Sequence, residues 1–298
     1  YLNKLIIKPV ITSMYHTGEW EGPCRFNVAS MAEEKKSALE SFESFANTIK
    51  NNKYDKTTVE FLQPSQILFV EDFKIPAEEF DKINEDSVKA DVLYINPGGS
   101  SISAYDLANR YKKPVVLSSG LSCRTVDISA YCRSKGLECF VPDSFKETEE
   151  LFSLLKARKG FKQIRILFPT DWKWPSVASV AGINDPEKLK DQFGIELMTI
   201  TYNDLSKELE RTRNDRILKN DANAMADTII KNADHSFIEK KYIVNSIEFY
   251  QTIANLMQKY NCNAFTIECF EFCTSRLPQK WNITPCLIHT IFKDLGIP

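Results

Sequence analysis

Residues 5–12 are rich in β-branched side chains and read as a first strand, and the polar stretch 13–27, with Gly18, Gly22 and Pro23, reads as a loop. Ser30 and Glu33 then stand at capping-box spacing. Leu39, Phe42, Ala46 and Ile49 follow at steps of 3, 4 and 3, the spacing of one buried helical stripe. Strand patterns recur at 57–62, 67–70, 91–95, 114–118 and 137–140. Helical patterns recur at 76–89, with Pro76 in the first turn, and at 103–111, 126–134 and 144–158. Strands separated by helices imply parallel pairing, because each crossover must carry the chain back across the sheet.

After Lys159-Gly160 the alternation restarts with a strand at 163–168, a loop at 169–175, a helix from Pro186 and a strand at 195–201. A polar helical region runs to about Lys231. A long helix from about Ser236 carries Ile243, Ile247, Tyr250, Ala254 and Met257 at steps of 4, 3, 4 and 3, a core stripe, and a strand at 264–269 follows. Thr284 and Pro285 are an N-cap and first-turn pair, Ile288, Ile291, Phe292 and Leu295 make one apolar face, and Gly296 is a natural stop. The predicted fold class is therefore α/β, with two successive Rossmann-like, doubly wound parallel-sheet domains at 1–159 and 160–298. The last strand and helix are two-thirds of a βαβ crossover whose returning strand would begin at Ile297-Pro298. The second domain is thus expected to be cut before its last strand.

Composition narrows the function classes. The 298 residues are 43% hydrophobic and 26% charged, ordinary for a globular chain of about two domains. Lys plus Arg number 38 against 40 Asp plus Glu, a net charge of −2, so no global basic field draws the chain to nucleic acid or to a membrane. No apolar stretch approaches the ~20 residues of a bilayer span, and the first ten residues lack the long apolar core of a secretory signal. A cytoplasmic protein is expected. None of the eight cysteines forms a C-x-x-C pair, and they read as small buried hydrophobes; Cys262, Cys269, Cys273 and Cys286 cluster in sequence but miss the usual zinc spacings.

Parallel sheets bind ligands beyond the carboxyl ends of their strands, which selects particular loops. The first, 13–25, combines His16, Trp20 and Arg25 with glycines, a mixture suited to a polyhydroxylated ligand: the indole covers an apolar sugar face while polar groups bind hydroxyls. The same residues also suit an exposed or interface loop. Asn96-Pro97-Gly98-Gly99-Ser100-Ser101 offers backbone N–H groups at a helix start, yet it is not G-x-G-x-x-G and reads better as a tight turn against the first loop. Ser118 to Arg124 contains no G-x-S-x-G elbow. The loop holding Trp172 and Trp174 reads equally as binding surface or subunit interface. Alternation sends Glu268 and Glu271 out of a strand mouth, where they would orient a substrate, hold a cation or remain solvated loop acids. His235, at a helix start, and His289, on the polar side of the last helix, suit capping and surface roles.

Three segments carry a family likeness. Asn263-Ala264-Phe265-Thr266-Ile267-Glu268-Cys269-Phe270, then Thr284-Pro285-Cys286-Leu287, then Lys293-Asp294-Leu295-Gly296-Ile297-Pro298 resemble the L-fucose/L-arabinose isomerase family and its sugar-isomerase-like relatives. The first strand with Lys8-Pro9 and the order of elements are similar as well, so the likeness covers the chain loosely and its last ~40 residues more closely. It implies conversion of an open-chain aldose to the ketose through an ene-diol, with a divalent metal, usually Mn2+, polarising the carbonyl while acidic groups move a proton. It also implies a homo-oligomer whose first-domain loops approach a neighbouring subunit's site. The family's first metal ligand lies in an acidic segment just after the stretch matching Gly296-Ile297-Pro298 and the remaining ones in a third domain, so the resemblance implies a chain cut before that third domain and places no metal ligand within it. What transfers is monosaccharide contact at His16, Trp20, Arg25, Glu268 and Glu271. A noncatalytic sugar-binding or regulatory protein on the same scaffold is the alternative reading.

Overall fold

A computed structural model describes residues 4–17, 30–70, 75–118, 120–171 and 186–297. The chain divides into two compact units, Tyr1–Lys159 and Gly160–Pro298. Every strand pairing among the described residues is parallel, so the structure is α/β and compatible with Rossmann-like layering. No helix among those residues is long and apolar enough to cross a membrane.

The first unit runs β1 (Leu5–Tyr15), α1 (Met31–Lys50), β2 (Val59–Phe61), β3 (Ser65–Val70), α2 (Ala77–Lys89), β4 (Val92–Pro97), α3 (Ser101–Tyr111), β5 (Val115–Leu117), α4 (Cys123–Ser134), β6 (Cys139–Phe140) and α5 (Phe145–Phe161). The sheet order is β2-β1-β4-β5-β6, with β3 also on β1. β2 and β3 lie end to end along one edge of β1: Leu5 pairs with Val59, whereas Val10 pairs with Ser65, one residue out of step. That extra residue is a bulge at 62–64 containing Pro64.

The bulge explains two residues that look wrong for a central strand. Leu5 N donates to Thr58 O and Leu62 N donates to Ile7 O, so alternate residues of β1 face β2, and the next in that series is Pro9. Its missing N–H falls where the ladder is already interrupted, so it costs no rung. Lys8, only 1% exposed, closes the gap: its Nζ donates to Gln63 O at 2.6 Å, Ser65 Oγ at 2.8 Å and Asp86 Oδ2 at 2.7 Å. One face of the sheet packs Val10, Ile67, Leu93, Ile95 and Leu117 against Ile83, Leu107 and Ile128 of α2, α3 and α4. The other packs Ile7, Ile11, Val92 and Val116 beneath Phe45 of α1 and Phe152 of α5.

The second unit contains β7 (Arg165–Pro169), α6 (Pro186–Phe193), β8 (Glu196–Ile200), α7 (Tyr202–Asn214), α8 (Arg216–Asn232), α9 (Lys240–Lys259), β9 (Ala264–Phe265), α10 (Cys269–Thr274), α11 (Leu277–Trp281) and α12 (Pro285–Asp294). Its sheet order is β8-β7-β9, again with the unit's first strand in the centre. Leu167, Phe249, Ile253, Phe265, Phe272, Trp281 and Ile288 share one core.

Several expectations are corrected. The strand expected at 264–269 has two residues, and Cys269 already begins α10. Thr266 N donates to Leu167 O, and the next rung would need a donor at Pro169, which has none. The stripe on α1 runs through Glu34, Ala38, Phe45 and Ile49, leaving Leu39 52% exposed. α9 starts at Lys240 rather than near Ser236, so His235 precedes it by several residues, and Phe237 beside it is 96% exposed. Of the cysteines expected to be buried, Cys132 and Cys139 are, whereas Cys123, Cys269, Cys273 and Cys286 are exposed free thiols.

Candidate functional site

In the first unit the chain leaves the central strand at His16, which is buried beside Glu34 in the first turn of α1. His16 N donates to Glu34 Oε2 at 2.6 Å, and Nδ1 lies 3.1 and 3.0 Å from the two carboxylate oxygens. A carboxylate can only accept, so the pairing places a proton on Nδ1 and fixes the ring's orientation. Ser30 caps the same helix end with Glu33 in a capping box, which sets where Glu34 enters the fold. Trp20 and Arg25 lie outside the described residues.

The turn at Gly98-Gly99 closes against the end of β1. Gly98 N donates to Thr12 Oγ1 at 3.1 Å, and Thr12 Oγ1 donates to Gly98 O at 3.0 Å. Gly99 has φ of +73°, and a Cβ on either glycine would collide with Thr12 or Met14. This is the tight turn the residues suggested, and Thr12 takes the Gly98 N–H an anion would need. Ser122 caps α4 in a box with Thr125, so that segment is used for helix initiation.

The second unit repeats the arrangement with other residues. Glu271 on α10 is only 4% exposed, and its carboxylate accepts from Thr170 Oγ1 at 2.9 Å, Asp171 N at 3.2 Å and Tyr202 Oη at 3.0 Å. Asp171 Oδ1 in turn accepts from Tyr202 N at 2.8 Å. Burial, with the Glu271 carboxylate next, pushes the Tyr202 phenol far above its ordinary range, so it remains a proton donor. Glu271 thus stands in a helix with both oxygens engaged, not at an open strand mouth as the alternation suggested. Glu268 is the half-buried N-cap residue of the same helix, and its carbonyl accepts from Phe272 N. Trp172 and Trp174, next along from Asp171, lie outside the described residues.

His16, Glu268 and Glu271 therefore all stand at carboxyl ends of parallel strands, His16 in one unit and the two glutamates in the other. Of the partners that define their geometry, Thr170 and Asp171 lie in the 169–175 loop that the sequence points to, without a role for either, whereas Glu34 and Tyr202 are not marked by the sequence reading. Glu34 carried a faint signal, an acid in a helix's first turn beside a capping box. His289 is exposed and stacks on Phe265 with ring centres 5.5 Å apart.

Among the described residues no group of three or more His, Cys, Asp or Glu side chains is placed to hold a metal ion. Those residues do not by themselves fit the Mn2+ site that the family likeness implies. Compared with known proteins, the chain matches no family model and no curated protein.

Proposed function

We propose that this chain supplies two Rossmann-like, doubly wound units of a sugar isomerase of the L-fucose/L-arabinose isomerase type, acting on a free pentose or deoxyhexose within a homo-oligomer. The observation that supports this most is the repeated neck. In each unit a buried carboxylate, Glu34 or Glu271, ties down the residues at which the chain leaves the central strand. Rigid anchoring at the carboxyl edge of a parallel sheet is what a ligand-contacting loop requires, since a loosely held group loses orientation. In this reading His16, Trp20 and Arg25 contact sugar hydroxyls and the apolar sugar face, Glu268 contacts the substrate, and Glu271 acts as a positioning residue for Thr170 and Asp171. The ligands for Mn2+ come from outside the described residues.

The test is turnover. Purified chain with Mn2+ and a panel of aldopentoses and deoxyhexoses is expected to form the matching ketose, detected by chromatography. Saturable sugar binding without ketose would favour the second reading, a noncatalytic sugar-binding protein, and neither binding nor turnover would overturn both. What favours the second reading is that Glu271, an acid at the strand mouths, spends its oxygens on protein donors.

A further inference from the structure

We propose that a cleft in the first unit, between α1 and the carboxyl ends of β4 and β5, is a binding site for a small, neutral, polyhydroxylated ligand. The cleft is an open groove of about 530 Å³, a volume within the usual range for small-molecule sites, and neither His16 nor Glu34 lines it. Its floor is apolar and aromatic: Ile11, Phe45, Ile49 and Tyr94, with the rings of Phe45 and Tyr94 stacked 6.5 Å apart. Its polar end is built by the sheet. Ile11 pairs with Asn96, and Ile95 with Leu117, so Ile11, Asn96 and Ser118 form one row across β1, β4 and the end of β5.

Two observations point to a ligand. Half-buried Ser118 lines this cleft, and its Oγ, just beneath the surface, has no hydrogen-bond partner among the described residues, a state native folds rarely leave unexplained. The α1 wall also has a definite chemistry. Ser37, Ser41, Ser44 and Thr48 recur at steps of 4, 3 and 4 along it. Ser41 donates its hydroxyl hydrogen to Ser37 O at 2.9 Å and Thr48 donates to Ser44 O at 3.0 Å, which leaves their oxygens as acceptors. An acceptor-rich wall facing an aromatic floor suits a ligand that brings a donor on every hydroxyl and a C–H face, as a sugar or sugar alcohol does. Among the described residues lining the cleft Glu40 is the one that carries a charge, and none of them offers an anion a countercharge.

The site is read by titrating the full isotope-labelled chain with xylitol, L-fucose and D-glucose, and with inorganic phosphate for comparison, following backbone amides by NMR. Saturable shifts confined to residues 37–48, 94–96 and 118 are expected with at least one neutral probe and not with phosphate. S41F, at an exposed helix position, should fill the cleft and abolish them, and S118V should weaken binding by about three- to tenfold, the effect of one neutral hydrogen bond. No saturable shift with any neutral probe, shifts that survive S41F, unchanged affinity in S118V, or phosphate binding at these residues would each overturn the proposal. The readout is independent of turnover, so this site and the isomerase reading stand or fall separately.

Discussion

Lys8 is the residue on which the first sheet's irregularity depends. Its ammonium satisfies a backbone carbonyl, a hydroxyl and a carboxylate, so Lys8→Met keeps the stem but removes the donor from all three. Loss of about 2–4 kcal/mol is expected from urea unfolding, and a change under about 1 kcal/mol would mean the bulge does not rely on this side chain. Tyr202 makes a pH prediction with a definite sign. Its folded phenol titrates well above the 10.0 of a free tyrosine, so the unfolded chain ionises first and unfolding releases a proton above that pH. Stability therefore falls as pH rises beyond about 10, and Tyr202→Phe should flatten that slope by up to about 1.4 kcal/mol per pH unit, the value for one proton. Equal slopes in both proteins would show that the phenol is not protected. Local chemistry marks the Gly98-Gly99 turn and points to His16 as a loop residue, but the burial of His16 against Glu34 is not legible in the chain's pattern. Lys8, Glu34 and Tyr202 look like ordinary surface positions until the tertiary fold buries them beside residues 18 to 78 positions away.

Elements were legible where a single physical signal dominated and obscure where two competed. The capping box at Ser30 and Glu33 located α1 correctly, yet the stripe was assigned one residue off at its start, because a buried carboxylate holds the place an apolar side chain usually takes. The run from Ala264 to Phe272 satisfies both alternation and helical spacing, and Pro169 on the neighbouring strand decides it by withholding a hydrogen-bond donor. The start of α4 was placed too late because Ser122 pairs with Thr125 instead of the acid or amide such boxes usually use. That cap yields an element-scale prediction. Ser122→Ala should lose about 1 kcal/mol of stability, and Ser122→Asp should recover most of it, since aspartate accepts the same N–H and favours a helix N-terminus. If both variants unfold at the wild-type urea midpoint, the cap contributes nothing and the turn at Gly120 alone starts the helix.

At the scale of the molecule, both sheets place their unit's first strand in the centre, β1 between β2 and β4, β7 between β8 and β9. Successive connections then leave in opposite directions, and the loop after that first strand stands where the order reverses, the position at which open α/β sheets leave a crevice. That the 13–27 and 169–175 loops were singled out from sequence follows from this geometry: each comes directly after the first strand of a restarted alternation. The same topology makes each unit's strand pairings internal among the described residues, since there β1 to β6 pair with one another and β7 to β9 likewise. A fragment of residues 1–161, cut after the last residue of α5, retains the six strands, the five helices over both faces and the core around Ile95, Val116 and Phe152. It should therefore unfold cooperatively in urea and give a dispersed amide spectrum, with Lys8→Met lowering its stability by the same amount as in the full chain, because the residues it contacts all lie inside the fragment. A collapsed fragment with poor dispersion, or a Lys8 effect that vanishes on truncation, would mean that the first sheet needs contacts beyond residue 161 to hold its register.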